Sequence, residues 1–495
     1  MKKTARGTFV ILFAATMLAL CPACSKKPVN ANPPSAPGGG NSETPPTEVQ
    51  SDVAMWLTLP DESALLAKQN EAINFGTAAN SNTDIVVDTT TTYQSIDGFG
   101  FCLTGGSATV INSLPADKKD ALLKELFLTD DSHIGISYLR ISIGASDLSA
   151  GDFTYDDIPS GTDENLDHFS IDREKTDLIP VLKSILALNP QIKILACPWT
   201  APVWMKINTQ GNNGFTGGSL NTSYYGAYAK YFVKYIQAMQ AEGITIDAVT
   251  PQNEPLNPGN NPAMVMQASE EADFVKNNLG PQLAAANLHV KIIVWDHNAD
   301  RPDYPIAILN DPAANKYVDG SAFHLYNGSI NALTTVHDAF PDKNLYFTEQ
   351  YTPSDGGFAG DLSWHLTNLI IGAPRNWSRN VLEWNLATDA SFGPHTDGGC
   401  SVCKGALTIS GSNITRNVSY YIIAHASKFV RPGAVRIASS ALTTIPNVAF
   451  KNTDGSKVLI VFNTTSGNIT FNIKFNNKTA SSTLPGGAAA TYVWN

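Results

Sequence analysis

Two glutamates carry the clearest chemistry in this sequence. Glu254 lies in Gln252-Asn253-Glu254-Pro255 and Glu349 in Thr348-Glu349-Gln350, each closing an apolar run of strand character. The ends of other such runs supply Arg140 with Asp147 beyond it, Cys197-Pro198-Trp199, His324-Leu325-Tyr326 and Glu383-Trp384-Asn385. A single glutamate reads as a surface or ion-paired residue. Two glutamates at strand ends, in the company of Trp, Tyr, Asn and Arg, read as a site. Paired carboxyls suit cleavage of a glycosidic bond: one protonates a poor leaving oxygen, the other stabilises or traps the oxocarbenium-like carbon. Aromatic rings take the apolar faces of sugars, while Asn, Asp and Arg bind hydroxyls. His324 also has a plainer reading as a satisfied structural histidine, because a wall residue need not titrate.

The elements that must position these groups follow from hydrophobic patterning. Strand candidates are Gln94–Leu103, Ile136–Ile143, Lys193–Trp199, Ala248–Glu254, Val290–His297, Gly320–Tyr326, Asn344–Glu349 and Val381–Leu386. Amphipathic helical stretches fall between them, at Asp117–Phe127, Thr176–Ala187, Tyr224–Ala241, Ser269–Ala286 and Leu362–Ile371. Eight strand-then-helix units predict an α/β fold, a (β/α)8 barrel whose chemistry gathers at the carboxyl ends of its strands. A doubly wound open sheet is the rival, but no glycine-rich phosphate loop follows the first strand. The chain ends read differently. Short alternating segments at Asp52–Leu66 and Asp84–Tyr93, and at Ala434–Ile437, Thr444–Lys451, Lys457–Asn463, Asn468–Phe475 and Ala489–Val493, are separated by turn dipeptides. They predict a side β-sandwich built from both ends of the chain. The expected division is a leader over 1–24, a tether over 25–51, sandwich over 52–94, barrel over 95–430 and sandwich again over 431–495.

With 495 residues the chain can bury a large core, and Lys+Arg 33 against Asp+Glu 44 gives a net charge of −11. That acidity argues against a nucleic-acid partner, which needs a basic face. Low charge content with 8 Trp, 16 Tyr and 21 Phe suits a binder of neutral ligands. At the start, Lys2, Lys3 and Arg6 precede an apolar run from Phe9 to Leu20. This is the layout of a secretory leader, too short for a membrane span. Ala23-Cys24-Ser25 resembles a bacterial lipobox, so Cys24 is the expected lipidation site. The Pro, Asn, Gly and Ser stretch after it reads as a disordered tether. Together they predict a lipid-anchored envelope protein on the outer-membrane surface or in the periplasm. Cys102 and Cys197 read as buried bystanders, and Cys400-Ser-Val-Cys403 as a local disulfide, since a lone C-x-x-C lacks the further ligands that zinc requires.

Ser95–Gly98, Leu139–Ser149, Cys197–Lys206, Thr250–Pro255, Leu279–Leu283 and His425–Pro432 together resemble glycoside hydrolase family 30. That family includes glucosylceramidases and endo-β-1,6-glucanases. The likeness runs from about Asp52 to Asn495, and its most specific run is Pro198-Trp199-Thr200-Ala201-Pro202-Val203-Trp204-Met205-Lys206. It implies that Glu254 is the acid/base and Glu349 the nucleophile. It further implies that Asn253 binds the 2-hydroxyl, that Asp147 and Trp199 bind terminal glucose hydroxyls, and that Arg140 supports the nucleophile. Tyr326 would hydrogen-bond the nucleophile and Trp384 would be the platform under the sugar. Gly100-Phe101-Cys102-Leu103-Thr104-Gly105 departs from the Gly-Ala-Phe-Thr-Asp of many relatives, so an aspartate from the first strand is missing here.

A retaining double displacement is therefore expected. Glu349 is ionised, and Glu254 begins protonated, lifted by burial and by its negative neighbour. No cofactor or metal is called for. Asp147 and Trp199 favour a β-glucosyl unit, and an anchored exterior enzyme favours a polymer, hence an endo-β-1,6-glucanase. The alternatives are an exo-β-glucosidase or glucosylceramidase and, from another class, a non-catalytic surface glycan binder. Short connections after the sixth and seventh strands suggest a mouth open enough for a polymer.

Overall fold

The computed structural model describes residues 50–130 and 132–495. The expected leader, the expected lipidation site at Cys24 and nearly all of the expected tether lie outside the described residues. No helix among the described residues is long and apolar enough to cross a membrane.

Eight parallel strands close into a barrel. They are β1 Gly98–Cys102, β2 Tyr138–Ser142, β3 Lys193–Cys197, β4 Ala248–Val249, β5 Lys291–Ala299, β6 Val318–Gly328, β7 Asn344–Glu349 and β8 Ser378–Asn385. Each pairs with its neighbour in sequence, and β8 pairs with β1. β1 and β2 are buried along their whole length, as expected of strands covered on both faces. Helices pack outside; Tyr225–Ala241, for example, turns Tyr228, Tyr231, Phe232, Tyr235 and Met239 inward. Inside, one layer made of Tyr138, Leu195, Ala248, Ile293, Ala322, Tyr346 and Leu382 plugs the barrel. Side chains alternate along a strand, so Arg140 and Trp384, two residues beyond Tyr138 and Leu382, emerge on the inner face one layer higher.

Several expected elements differ in detail. The strand expected over Ala248–Glu254 keeps only Ala248–Val249, because the chain then leaves the ladder and Glu254 takes φ +41°. The helix expected over Ser269–Ala286 is Ala268–Phe274, a π turn over Val275–Leu279, then Gly280–Ala285. The one expected over Leu362–Ile371 starts earlier, at Phe358, and also passes into a π turn, Leu366–Gly372. Pro281 and Pro374 follow these turns. A proline has no N–H for the regular ladder, which favours the wider turn before it.

Both chain ends build the side sandwich. Ala54–Thr58 pairs antiparallel with Ala489–Trp494. Thr83–Ser95 passes between two sheets: its first residues pair parallel with Ile469–Phe475, and its later ones antiparallel with Val435–Ser439. Asn447–Lys451 and Lys457–Phe462 complete the larger sheet, and Lys478–Leu484 forms a hairpin with Ile469–Phe475. Met55, Ile85, Leu459, Phe471, Ile473 and Tyr492 fill the space between the layers. His425, on the final helix Val418–Ser427, lies between Thr58 and Thr491 at 2.8 and 2.9 Å. Burial pushes its pKa down to about 3, so a neutral ring ties the barrel to both ends of the chain.

Candidate active site

The site rests on the barrel's apolar plug. Arg140, fully buried from β2, donates to Glu349 Oε2 at 2.5 Å, to Asn253 Oδ1 at 2.7 Å and to Asp296 Oδ2 at 2.8 Å. Its guanidinium lies 4.7 Å from the Trp199 ring centre and 5.7 Å from that of Trp384. One cation thus fixes the nucleophile candidate, orients the Asn253 amide and braces two indoles. Tyr326 donates to Glu349 Oε1 at 3.0 Å, so both oxygens of that carboxylate are held.

Asp296 is the hub that the sequence reading missed. It accepts from Arg140, from His324 Nε2 at 3.2 Å, from Thr250 Oγ1 at 2.7 Å and from Thr348 Oγ1 at 2.6 Å. These donors hold its carboxyl well below the ordinary range despite complete burial. The available signal was Trp295-Asp296-His297-Asn298, an acid at a barrel strand's carboxyl end. Trp295 and Asp296 both have positive φ, +79° and +55°, as does Glu254. Three non-glycine residues in this sparsely populated region mark a rim whose backbone is bent to aim side chains.

His324, expected to bind substrate, is fully buried behind the glutamates and absent from the cavity wall. Its Nδ1 faces Glu254 Oε1 at 3.1 Å and its Nε2 faces Asp296. Both nitrogens meet carboxylate oxygens, so the ring that satisfies them is the imidazolium. Burial opposes that charge, but Glu349, Asp296 and Glu254 outweigh it and raise His324 to about 9. The consequence reverses the expected titration of the glutamates. Burial alone would raise Glu254, but the His324 cation, with His297 and the Asn257 amide donating at 2.7 Å, holds it down to about 2. Burial pushes Glu349 upward against the pull of His324 and Arg140.

A cavity of about 530 Å³ opens above. Its wall includes Asp147, Glu254, Asn257, His297, Asn298, Tyr326, Glu349, Tyr351 and Trp384. One oxygen from Glu254, one from Glu349 and one His324 nitrogen lie within 4.8 Å of one another. Trp199 sits deeper, 1% exposed, with its ring centre 5.4 Å from that of Trp384. Asp147, on the loop after β2, is pushed up to about 8 by burial and by the two glutamates. Among the described residues its buried Oδ1 has no partner. A carboxyl in that condition keeps a hydrogen-bonding position open toward the cavity.

The Cys400–Cys403 disulfide forms as expected and lines the same wall, while Cys102 and Cys197 are free and buried. Its loop backs Asp147: Thr396 N–H donates to the Asp147 carbonyl at 2.9 Å. A side chain at Gly399 would meet that carbonyl at 2.3 Å. The connections after β6 and β7 are short, as expected, with helices starting at Ala332 and Phe358. The connection after β8 is long and carries the disulfide over one side of the mouth.

A closed barrel with facing carboxyls at its carboxyl rim, joined to a side sandwich, defines a glycoside hydrolase scaffold. Sequence models specify which. The Glycosyl hydrolase family 30 TIM-barrel domain matches residues 96–430 and the family's beta sandwich domain matches 433–492. The chain belongs to glycoside hydrolase family 30. It is 38% identical over 395 residues to the endo-1,6-beta-D-glucanase neg1 of Aspergillus fumigatus, covering 75% of this chain and 79% of that one. A putative glucosylceramidase of Caenorhabditis elegans is 31% identical, with 78% of each chain covered. Among solved structures, the endo-beta1,6-glucanase BT3312 superposes with a TM-score of 0.83 at 38% identity, over 90% of this chain and 99% of its own.

Proposed function

We propose that this protein is a retaining endo-β-1,6-glucanase acting on extracellular glucan, with Glu349 as nucleophile and Glu254 as acid/base. The observation that carries the reading is the pair of glutamate oxygens within 4.8 Å of each other at the cavity. That spacing suits direct attack rather than an intervening water, for which inverting enzymes leave ~6.5–9.5 Å. The linkage comes from the likeness to enzymes named for β-1,6-glucan.

In this mechanism Glu349 attacks the anomeric carbon as the bond to the leaving oxygen breaks. Glu254 and His324 hold one transferable proton between them, on the imidazole while the site is empty. As Glu349 becomes a neutral ester, His324 loses one of the carboxylates that raise its proton affinity. In the same step the proton passes through Glu254 to the leaving oxygen, so that oxygen departs as a hydroxyl. Glu254, now a carboxylate, takes a proton from the water that releases the sugar. Trp384 supports the ring, Asp147 and Trp199 receive its hydroxyls, and Asn253, turned by Arg140, offers its amide to the 2-hydroxyl. Arg140 and Tyr326 hold the nucleophile, and His324 acts through Glu254.

Incubation with linear β-1,6-, β-1,3- and β-1,4-glucans, with products sized over time, tests the reading. A ladder of short oligosaccharides from β-1,6-glucan alone is expected. Glucose alone from the first minutes would replace it with the exo-β-glucosidase reading. The likeness to a putative glucosylceramidase makes a glucosylceramide arm of the assay worthwhile.

We also propose that Cys24 carries a lipid that anchors the enzyme in the cell envelope, on the strength of the charged start, apolar run and polar tether. Cys24→Ser is expected to move the protein from the detergent-extracted membrane fraction to the soluble one; retention in the membrane would count against the anchor.

A further inference from the structure

A second cavity, of about 650 Å³, lies on the sandwich and shares no wall residue with the catalytic one. Phe75, Phe475 and Trp494 line it, with ring centres 5.7–6.2 Å apart and planes 50–68° to one another. The two phenylalanines are half-buried, while Trp494 is 3% exposed. The Trp494 indole N–H is buried and has no hydrogen-bond partner among the described residues. Leaving such a donor unpaired and out of water is unfavourable, so it points to an acceptor from outside the chain. Polar groups ring the aromatics: Ser51, Asp52, Asn476, Lys478 and Asn495. Asn476 is placed by the Asn-Asn turn of the Ile469–Leu484 hairpin, where both asparagines take positive φ, +50° and +61°. Asp52 is partly committed, since its Oδ2 accepts from Phe75 N–H at 2.9 Å. Lys457 lies over the Phe475 ring, 5.3 Å from its centre, and takes part of that surface.

We propose that this cavity is a second carbohydrate site, holding a segment of a neutral β-glucan chain away from the catalytic centre. Tilted aromatic faces suit the C–H faces of pyranose rings, the orphaned indole suits a hydroxyl or ring oxygen, and the amides suit the remaining hydroxyls. The mixed charges around the rim favour a neutral polyhydroxyl ligand over an ion. The inference rests on the glucanase reading, and it gives a polymer-cutting enzyme a second hold on the same polymer.

The test separates the two claims. In the full chain carrying Glu349→Gln, so that nothing is cut, Trp494→Phe and Phe475→Ser are added singly. Retardation is then measured in gels containing β-1,6-, β-1,3- or β-1,4-glucan. Each change is expected to weaken binding of β-1,6-glucan roughly three- to tenfold, the worth of a hydrogen bond or part of a ring contact. With Glu349 intact, the polymer KM rises by the same factor, while kcat/KM for an aryl β-glucoside stays within about twofold. Trp494→Phe removes a donor that has no partner among the described residues but also shrinks a buried ring, so its melting temperature is expected to hold or to fall only slightly. Polymer affinity and KM within twofold of the parent for both variants would overturn the site. Failure of the unmodified enzyme to cut any glucan would overturn the glucanase reading instead, because gel retardation does not depend on cleavage.

Discussion

The two rims of the barrel are both charged, and they differ in how the charges are matched. At the amino-terminal rim, Asp97, Asp247 and Asp319 face Lys193, Lys291 and Arg379. Arg379 meets Asp97 at 2.7 Å, Lys193 meets Asp247 at 2.8 Å, and Lys291 lies 3.6 Å from Asp97 and 4.0 Å from Asp319. Three acids meet three bases at the edge of solvent. At the carboxyl-terminal rim, Glu254, Asp296 and Glu349 share Arg140 and His324 while Asp147 pairs with neither, and every one of these side chains is buried. Four acids against two bases leaves protonation states open to change, and it leaves Asp147 with an unpaired oxygen. Matched charges hold strands in place; mismatched buried charges hold potential for reaction.

The largest way to break this contrast is at the nucleophile. Glu349→Gln is expected to lower glucan turnover on the order of 10⁴-fold or more with a cooperative melt retained, since an amide forms no glycosyl ester. Turnover near the parent rate would end the assignment. Next is Glu254→Ala, with a loss of roughly 10²–10⁴-fold on glucan but far less on aryl glucosides, whose phenol leaves without a proton. Equal losses on both substrates would remove the acid/base role.

A pH experiment sharpens the comparison. His324 is raised from an ordinary 6.5 to about 9, so its protonation favours the folded state. That gain is complete below about pH 6.5 and is lost as pH climbs through about 9. The stability difference between the parent and His324→Gln should therefore shrink between those values, as read by denaturant unfolding. Loss of the same proton sets the basic limb of kcat/KM, and His324→Gln should move that limb, with a drop of roughly tenfold near neutral pH. A basic limb that stays put in the variant would detach His324 from the proton. The smallest effect is expected at the opposite rim. Asp97→Asn should cost no more than about 1 kcal/mol of stability, as partly exposed pairs do, and leave kcat unchanged. A clear fall in kcat would mean that the rims are coupled.

Much of this was legible in the sequence, for physical reasons. The barrel declared itself because apolar strands and amphipathic helices alternate at a regular spacing, and the glutamates because they end such strands. Arg140, Tyr326 and Trp384 fall where inner-face alternation puts them. Asp296 escaped because its significance lies in four donors, on three other strands and just past the end of a fourth, which no local pattern reveals. His324 was visible but misplaced: its neighbours, Glu254 and Asp296, decide its charge, and through it the proton on Glu254. The disulfide was readable as a bond, but its place on the cavity wall depends on the long connection after β8, whose path carries little periodic signal.

The pairing of the two chain ends also sets a timetable for synthesis. Ala54–Thr58 finds its partner only when Ala489–Trp494 has been made, nearly a whole chain later. At ~5–20 residues per second that wait is on the order of 20–90 seconds, with β-forming segments left open to wrong partners. The sequence is guarded for it. Asp84 and Asp88 bracket Ile85-Val86-Val87, and four threonines follow at 89–92. Asp52 precedes Ala54–Thr58, and Pro60-Asp61 follows. Charges and a proline beside short apolar runs discourage intermolecular stacking. The same aspartates that hold turns and pairs in the finished sandwich protect the chain while it is still unfinished.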